Sequence, residues 1–393
     1  MISTSVIYVA VPVSVSVVVA IGLFRHWRSR SWGKCVSNTN LRGKTYVITG
    51  GTSGLGLETA RALVKRKARV IITYREINKA RDAVNAIRRD TPTSGELIPM
   101  YLDLSDFKSI ENFSNLVHNG FNKIDCLINN AGVYVPLKLD AKTSEGFEIH
   151  MGVNHLGHFY LTTLLLDLLK KATPSRIVIV SSTLHEKGSI NFNDLNLRRD
   201  IALAMEAKTK SRHNPGYCNS KLMNVYFARS LADKYKNFGI DVNSCCPGFC
   251  YTNLFRHSVK WYHYLLFAPM MLFIMRTAKQ GSQTILFCAS DPSMEGKTGK
   301  MYRDCKVYES KYAFTKDEEE ALWKASEEMV TLRKPLPDTW KNAPRCWYHL
   351  RVGNFDIPIR HQNEPLGHAV GNSYANAAHC SKISQDCIRV PSK

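Results

Sequence analysis

Cysteine pairs at the CxxC spacing are missing from this chain. Its 11 cysteines are scattered with no CxxC among them, which argues against a disulfide scaffold or a zinc site and for a reducing compartment. Cys245, Cys246 and Cys250 do cluster, but in an apolar strand and its exit, where cysteine behaves as a small hydrophobe. Cys346-x-x-His349 and His379-Cys380 offer ligand types without a closed four-ligand spacing, so no metal is expected. Acidic residues are scarce: 33 Asp and Glu stand against 53 Lys and Arg, a formal charge of +20. Such an excess suits anionic membrane surfaces or phosphate-bearing ligands. It is spread along the chain, and no nucleic-acid module is legible, so no nucleic-acid partner is expected.

Charge of either sign is absent from residues 1–24, and Val6 to Phe24 is almost wholly apolar. Nineteen helical residues cover about 28 Å, close to the ~30 Å hydrocarbon core of a bilayer. A cleaved signal peptide would start with basic residues and end in small ones. Here the start is neutral and Arg25-His26-Trp27-Arg28 follows the apolar run, which favours an uncleaved anchor over residues 1–32. The basic flank, Arg25, Arg28, Arg30 and Lys34, follows the span, so the rest of the chain is expected on the cytosolic side.

What is present beyond a short polar linker at 33–42 is an alternation of strands and helices. Thr45–Thr49 reads as a buried strand, entering Gly50-Gly51-Thr52-Ser53-Gly54-Leu55-Gly56 and then a helix over Glu58–Lys67. Strand, glycine turn and helix together supply what a dinucleotide pyrophosphate needs: close backbone approach and a helix N-terminus. Arg69–Arg75 is the next strand, and Arg75 lies 19 residues beyond Gly56, where an acidic residue would select a free ribose 2′-hydroxyl. A guanidinium there pairs with a 2′-phosphate, so NADP(H) is expected over NAD(H).

Helices are expected over Asn78–Arg89, Ser105–Phe121, Glu145–Lys171, Tyr217–Lys236, Thr277–Ser290 and Lys316–Leu332. Strands are expected over Leu97–Leu104, Ile124–Ile128, Arg176–Val180, Ile240–Cys245 and Lys300–Tyr302. This alternation implies an α/β fold of the Rossmann type, a doubly wound parallel sheet with helices on both faces. Tyr217-Cys218-Asn219-Ser220-Lys221 places a tyrosine and a lysine one helical turn apart on one face. A fixed ammonium beside a phenol is expected to lower its pKa by about 1–3 units, toward use in proton transfer.

These motifs together resemble the classical short-chain dehydrogenase/reductase family over residues 41–333. The matching residues are TGGTSGLG at 49–56, NNAG at 129–132, Asn154, Ser182, YCNSK at 217–221 and PG at 247–248. GVNHLGHF at 152–159, the apolar start and Arg75 look like the microsomal retinol dehydrogenase branch. The resemblance implies a catalytic tetrad of Asn154, Ser182, Tyr217 and Lys221. Ser182 would hold the substrate oxygen, Tyr217 would exchange its proton, Lys221 would lower the tyrosine pKa and bind the nicotinamide ribose, and Asn154 would hold a water. It also implies NADP(H) contacts from Gly50, Thr52, Ser53, Gly54, Leu55, Gly56, Arg75, Asp103, Leu104, Asn130, Ala131, Gly132, Tyr217, Lys221, Pro247, Gly248 and Thr252. The expected reaction is hydride transfer between NADP(H) and an apolar alcohol/carbonyl pair, retinol/retinal first. Alternatives are a steroid or lipid-aldehyde reductase and, in another class, a catalytically idle nucleotide-binding scaffold on the membrane.

Two segments depart from the family pattern. Ser182 and Tyr217 are 35 residues apart, longer than is usual there, and the excess lies in Arg198–Pro215, read as a surface insertion beside the substrate entrance. Residues 334–393 carry scattered Pro, Gly, Asn and His without a sustained period and read as a mostly disordered tail. Trp261–Met275 is strongly apolar but interrupted by Pro269. It suits a cap over a long apolar ligand, with a helix buried against the core or a dimer partner as the alternative.

Overall fold

The computed structural model describes residues 19–92, 94–206, 213–250 and 275–331, and the backbone of 347–352 and 355–360. Short aliphatic runs make the strands: β1 Thr45–Ile48, β2 Arg69–Tyr74, β3 Glu96–Tyr101, β4 Cys126–Asn129, β5 Ser175–Val180, β6 Ile240–Cys246, β7 Met301–Arg303 and β8 Lys306–Val307. They form one sheet in the order β3-β2-β1-β4-β5-β6-β7-β8. All neighbours are parallel except the terminal β7–β8 pair. Parallel strands need crossovers, and the helices supply them on both faces.

Side chains alternate across the strands and sort into two cores. Val47, Ile71, Leu127, Ile177 and Val242 point one way, into the core that also holds Phe113, Phe159, Leu165 and Leu231. Ile48, Val70, Ile72, Ile128 and Val178 point the other way, against Leu63, Val64, Ile87 and Ile285. With both faces covered the strands lose the polar alternation of a half-exposed sheet. Each fully buried aliphatic side chain contributes about 1.5–3 kcal/mol relative to exposure.

The helices are α1 at residues 19–29, then α2 Gly54–Lys65, α3 Ile77–Asp90, α4 Phe107–Gly120, α5 Gly157–Lys170, α6 Arg198–Met205, α7 Pro215–Tyr235, α8 Ala278–Ser290 and α9 Lys316–Thr331. The long helix expected from Glu145 is corrected in two ways. Residues 145–148 are a turn and a bridge, and the helix begins at 149. Met151–Leu156 is then a π-helix leading into α5, a locally underwound, wider turn of a kind frequent at functional sites. The insertion carries α6, whose Ile201 is buried and which packs on the turn Leu137–Leu139; residues 207–212 lie outside the described residues.

The linker after α1 is fastened down. Trp32 is buried, and the Arg276 guanidinium lies 5.0 Å from its ring centroid. Arg276 also pairs with Asp304 at 2.5 Å and donates to the Pro247 carbonyl. Gly33 donates to Asp304 Oδ1, and a Cβ at residue 33 would stand 2.0 Å from the Asp304 carbonyl oxygen, so only glycine permits this contact. A second unit, Asp338–Lys393, contains an antiparallel hairpin of β9 Trp347–Val352 and β10 Phe355–Arg360, in the segment read from sequence as a mostly disordered tail.

Candidate active site

Glycine shapes the turn after β1. Gly50 and Gly54 have φ of +66° and +54°, conformations that side chains rarely adopt. At Gly56 a Cβ would stand 2.3 Å from the Gly50 carbonyl oxygen and 2.7 Å from Asn130 Nδ2. The turn therefore folds onto its own backbone and against the Asn130 side chain at the β4 exit. Asn130 Nδ2 donates to the Thr49 carbonyl, and the amides of Asn130 and Ala131 both donate to Thr49 Oγ1. α2 opens after Ser53, which makes no side-chain cap, so its first amides face outward with the positive end of the helix dipole. These residues fit a dinucleotide pyrophosphate: an uncapped helix start, a glycine floor and no acidic side chain in the first turn.

Across the sheet, β5 ends in Ser181-Ser182 and α7 brings in Tyr217 and Lys221. Asn214 caps α7 by accepting from the Tyr217 amide, and Pro215 sits in the first turn, which fixes where the helix starts. Ser182 Oγ accepts from the Leu184 amide at 3.2 Å and stands close enough to the Tyr217 phenol to bear on its pKa, whereas Ser181 Oγ donates to the Lys221 carbonyl at 2.7 Å. Lys221 Nζ donates to the Val180 carbonyl at 3.1 Å and lies 5.6 Å from the Tyr217 ring centroid. Asn154, fully buried in the π-helix, accepts from the Val133 amide through Oδ1 and donates from Nδ2 to Ser220 Oγ at 3.0 Å. Gly132 is exposed, and a Cβ there would stand 3.4 Å from Asn154 Oδ1 and 3.6 Å from Lys221 Nζ. The absence of a side chain keeps that approach open.

Burial sets the electrostatics. It pushes the Tyr217 phenol well above its ordinary range, and the neighbouring Ser182 hydroxyl acts in the opposite direction. The sequence led to the expectation that Lys221 lowers the pKa of this phenol; here removal from water is the largest influence and raises it, and the ammonium is itself pushed down to about 8 by burial. Burial therefore favours the protonated phenol. His158 is pushed down to about 4 and is neutral. Its Nδ1–H donates to the Asn154 carbonyl, while Nε2 lies 2.8 Å from Thr49 Oγ1, so it links the two walls of the site.

The remaining sequence-predicted residues are placed as follows. Thr52 and Leu55 are half-buried and Ser53 exposed in the glycine turn. Arg75 is exposed just past the end of β2. Asp103 Oδ1 accepts from the amide and hydroxyl of Ser105, and Leu104 is buried. Gly248 has φ +80°, and a Cβ there would meet the Arg276 guanidinium at 2.8 Å. Thr252 and all but Met275 of the apolar cap lie outside the described residues. Sequence reasoning missed Thr49, Arg276 and a buried pair, Glu148 and His150. The pair was hidden by the helix expected from Glu145, which would send residues two apart to different faces.

The comparisons agree with this geometry. The short chain dehydrogenase family model matches residues 44–193 and 203–263, breaking beside the insertion. Human retinol dehydrogenase 12 is 41% identical over 309 residues, 77% of this chain and 90% of its own length. Human retinol dehydrogenase 14 is 38% identical over 313 residues, 75% of this chain and 88% of that one. Among solved structures, an uncharacterised protein from Mycobacterium paratuberculosis has 30% identity and a TM-score of 0.56, covering 78% of this chain and 100% of its own. Actinorhodin polyketide ketoreductase with NADPH has 23% identity and a TM-score of 0.51, covering 66% and 94%; it shares the fold. On the family match and these identities, the chain belongs to the short-chain dehydrogenase family of oxidoreductases.

Proposed function

We propose that the protein reduces a long apolar carbonyl with NADPH, retinal first, and runs the reverse oxidation when the alcohol and NADP+ dominate. One observation carries the chemistry: the Tyr217 phenol is buried beside Ser182, and burial favours its protonated form. Bound NADPH would supply the hydride to the carbonyl carbon. Ser182 holds the carbonyl oxygen, and Tyr217 gives that oxygen its proton as negative charge develops. The Lys221 ammonium, 5.6 Å from the Tyr217 ring centroid, offsets the phenolate left behind. Asn154 clamps the Val133 peptide beside Gly132, which fixes the loop between dinucleotide and substrate. Arg75 faces solvent where a ribose 2′-phosphate would lie, which favours NADP(H). The retinoid reading draws on the names of the relatives, retinol dehydrogenases 12 and 14.

The test is a turnover screen of the full chain with NADPH and NADH against retinal, a steroid ketone and a medium-chain aldehyde. Retinal with NADPH is expected to give the highest kcat/KM. A higher value for the steroid or aldehyde replaces the substrate, and NADPH binding without any turnover makes the protein a scaffold.

Residues 1–32 are proposed to hold the domain on a membrane, the endoplasmic reticulum with the domain in the cytosol. No helix among the described residues is long and apolar enough to cross a bilayer, and most of the Val6–Phe24 run lies outside them. In α1, Val19, Leu23 and Trp27 are exposed at 53%, 65% and 66%. They are spaced by four and share one stripe. Protease added to intact microsomes should digest the domain; protection until detergent is added would place it in the lumen.

A further inference from the structure

The Glu148–His150 pair has no part in the chemistry above, yet it lies directly behind it. Both side chains are buried, His150 at 0% and Glu148 at 3% exposure. His150 Nε2 accepts from the Val135 amide at 2.9 Å. That fixes the proton on Nδ1, which donates to Glu148 Oε1 at 2.5 Å. The other carboxylate oxygen accepts from the amides of His150 and Met151 at 3.0 and 2.9 Å, anchoring the pair to the start of the helix that carries Asn154. The imidazole meets the Tyr217 ring edge-on, with centroids 6.3 Å apart at 84°. At Gly216 a Cβ would stand 2.8 Å from His150 Nδ1 and 2.9 Å from Glu148 Oε1, so the residue before the tyrosine must be small for the pair to fit.

We infer that Glu148 and His150 form a buried brace that positions Tyr217 and the Val133–Val135 segment relative to each other. Glu148 orients the imidazole, and the imidazole sets two things at once: the height of the Tyr217 ring and the course of the loop after Gly132. The pair touches neither hydride donor nor acceptor, and His150 is a positioning residue. The catalytic side of this inference rests on Tyr217 being the proton donor, and the mechanical side does not.

The test compares His150→Leu with His150→Gln in the full chain. The glutamine amide oxygen reaches where Nε2 stands, restoring an acceptor for the Val135 amide, while leucine restores neither bond. In His150→Leu we expect kcat to fall about tenfold or more and the solvent isotope effect on kcat to rise, as a misplaced proton donor requires. The Kd for NADPH should stay within about twofold, because the glycine wall is untouched. His150→Gln should recover part of kcat. Amide exchange at 133–135 and at the start of α7 should accelerate in His150→Leu, and at 133–135 less so in His150→Gln. Unchanged exchange in both segments, or wild-type kcat in His150→Leu, overturns the inference. If His150→Leu fails to fold, His150→Gln decides by the same two readouts, with exchange at the start of α7 and kcat below wild type expected. A wrong Tyr217 assignment shows differently: Tyr217→Phe stays active while exchange in the histidine variants still accelerates.

Discussion

The two walls of the site are built on opposite plans. The dinucleotide wall, from Thr49 to Gly56 with Asn130–Gly132, is a glycine turn and the backbone amides of a neighbouring strand exit gathered on one hydroxyl, Thr49 Oγ1. The opposite wall is side chains delivered from remote segments: His150 and Asn154 from the π-helix region, Ser182 from the end of β5, Tyr217 and Lys221 from α7. The first kind of wall depends on what is missing at each position, since a methyl at Gly56 would collide with backbone. The second depends on what is present and how deeply it is buried. Cofactor binding and proton transfer should therefore fail separately.

The sharpest separation is Tyr217→Phe. Turnover should fall by about 10²–10⁴-fold, the usual contribution of a positioned proton donor, while NADPH binding followed by fluorescence is nearly unchanged. Substantial residual activity would break the division between the walls. Next comes Arg75→Asp, on the dinucleotide side alone. A carboxylate repels a 2′-phosphate and accepts from a free hydroxyl, so preference in kcat/KM should swing from NADPH to NADH by about tenfold or more. A wild type that already prefers NADH removes the role given to Arg75.

Acidity offers a gentler probe. Lys221 loses its proton at about 8, so kcat/KM for reduction should decline above that pH, approaching tenfold per unit, with the phenol still protonated. Stability moves the other way. Between about 8 and the ordinary lysine value of 10.5 the unfolded chain holds the extra proton, so this group's contribution to folding rises with pH in that window. A parallel loss of activity and stability would show that unfolding, not Lys221, sets the profile. The smallest effect belongs to Ser181→Ala. Its hydroxyl serves the Lys221 carbonyl, so about 1 kcal/mol of stability should go, with kcat little altered, in contrast to Ser182→Ala.

The same division explains what could be read without coordinates. The glycine turn, the strand–helix alternation and the Tyr217–Lys221 spacing follow from local pattern, because strand periodicity and one helical turn are short-range facts. The helix start at 149 and the wide, underwound turn at Met151–Leu156 were not legible, since one such turn leaves the apolar spacing on either side of it helical. The direction of the Tyr217 shift was misjudged for a related reason. Neighbouring charges are visible in a motif, but desolvation depends on everything packed around it. Choosing Ser182 over Ser181 needed the family resemblance, as both stand at the end of one strand.

The clasp of Trp32, Arg276 and Asp304 has a mechanical consequence. A flexible leash would let a catalytic unit tumble above whatever surface holds its start. Here the chain leaving α1 is pinned within a few residues to the same guanidinium that supports the Pro247–Gly248 turn. If α1 rests on lipid, as proposed above, the unit would lose most of its rotational freedom and the Pro247–Gly248 turn would keep one bearing toward the plane of the bilayer. A ligand dissolved in that plane would then meet the enzyme by lateral diffusion in two dimensions, with the angular part of the search already completed by folding.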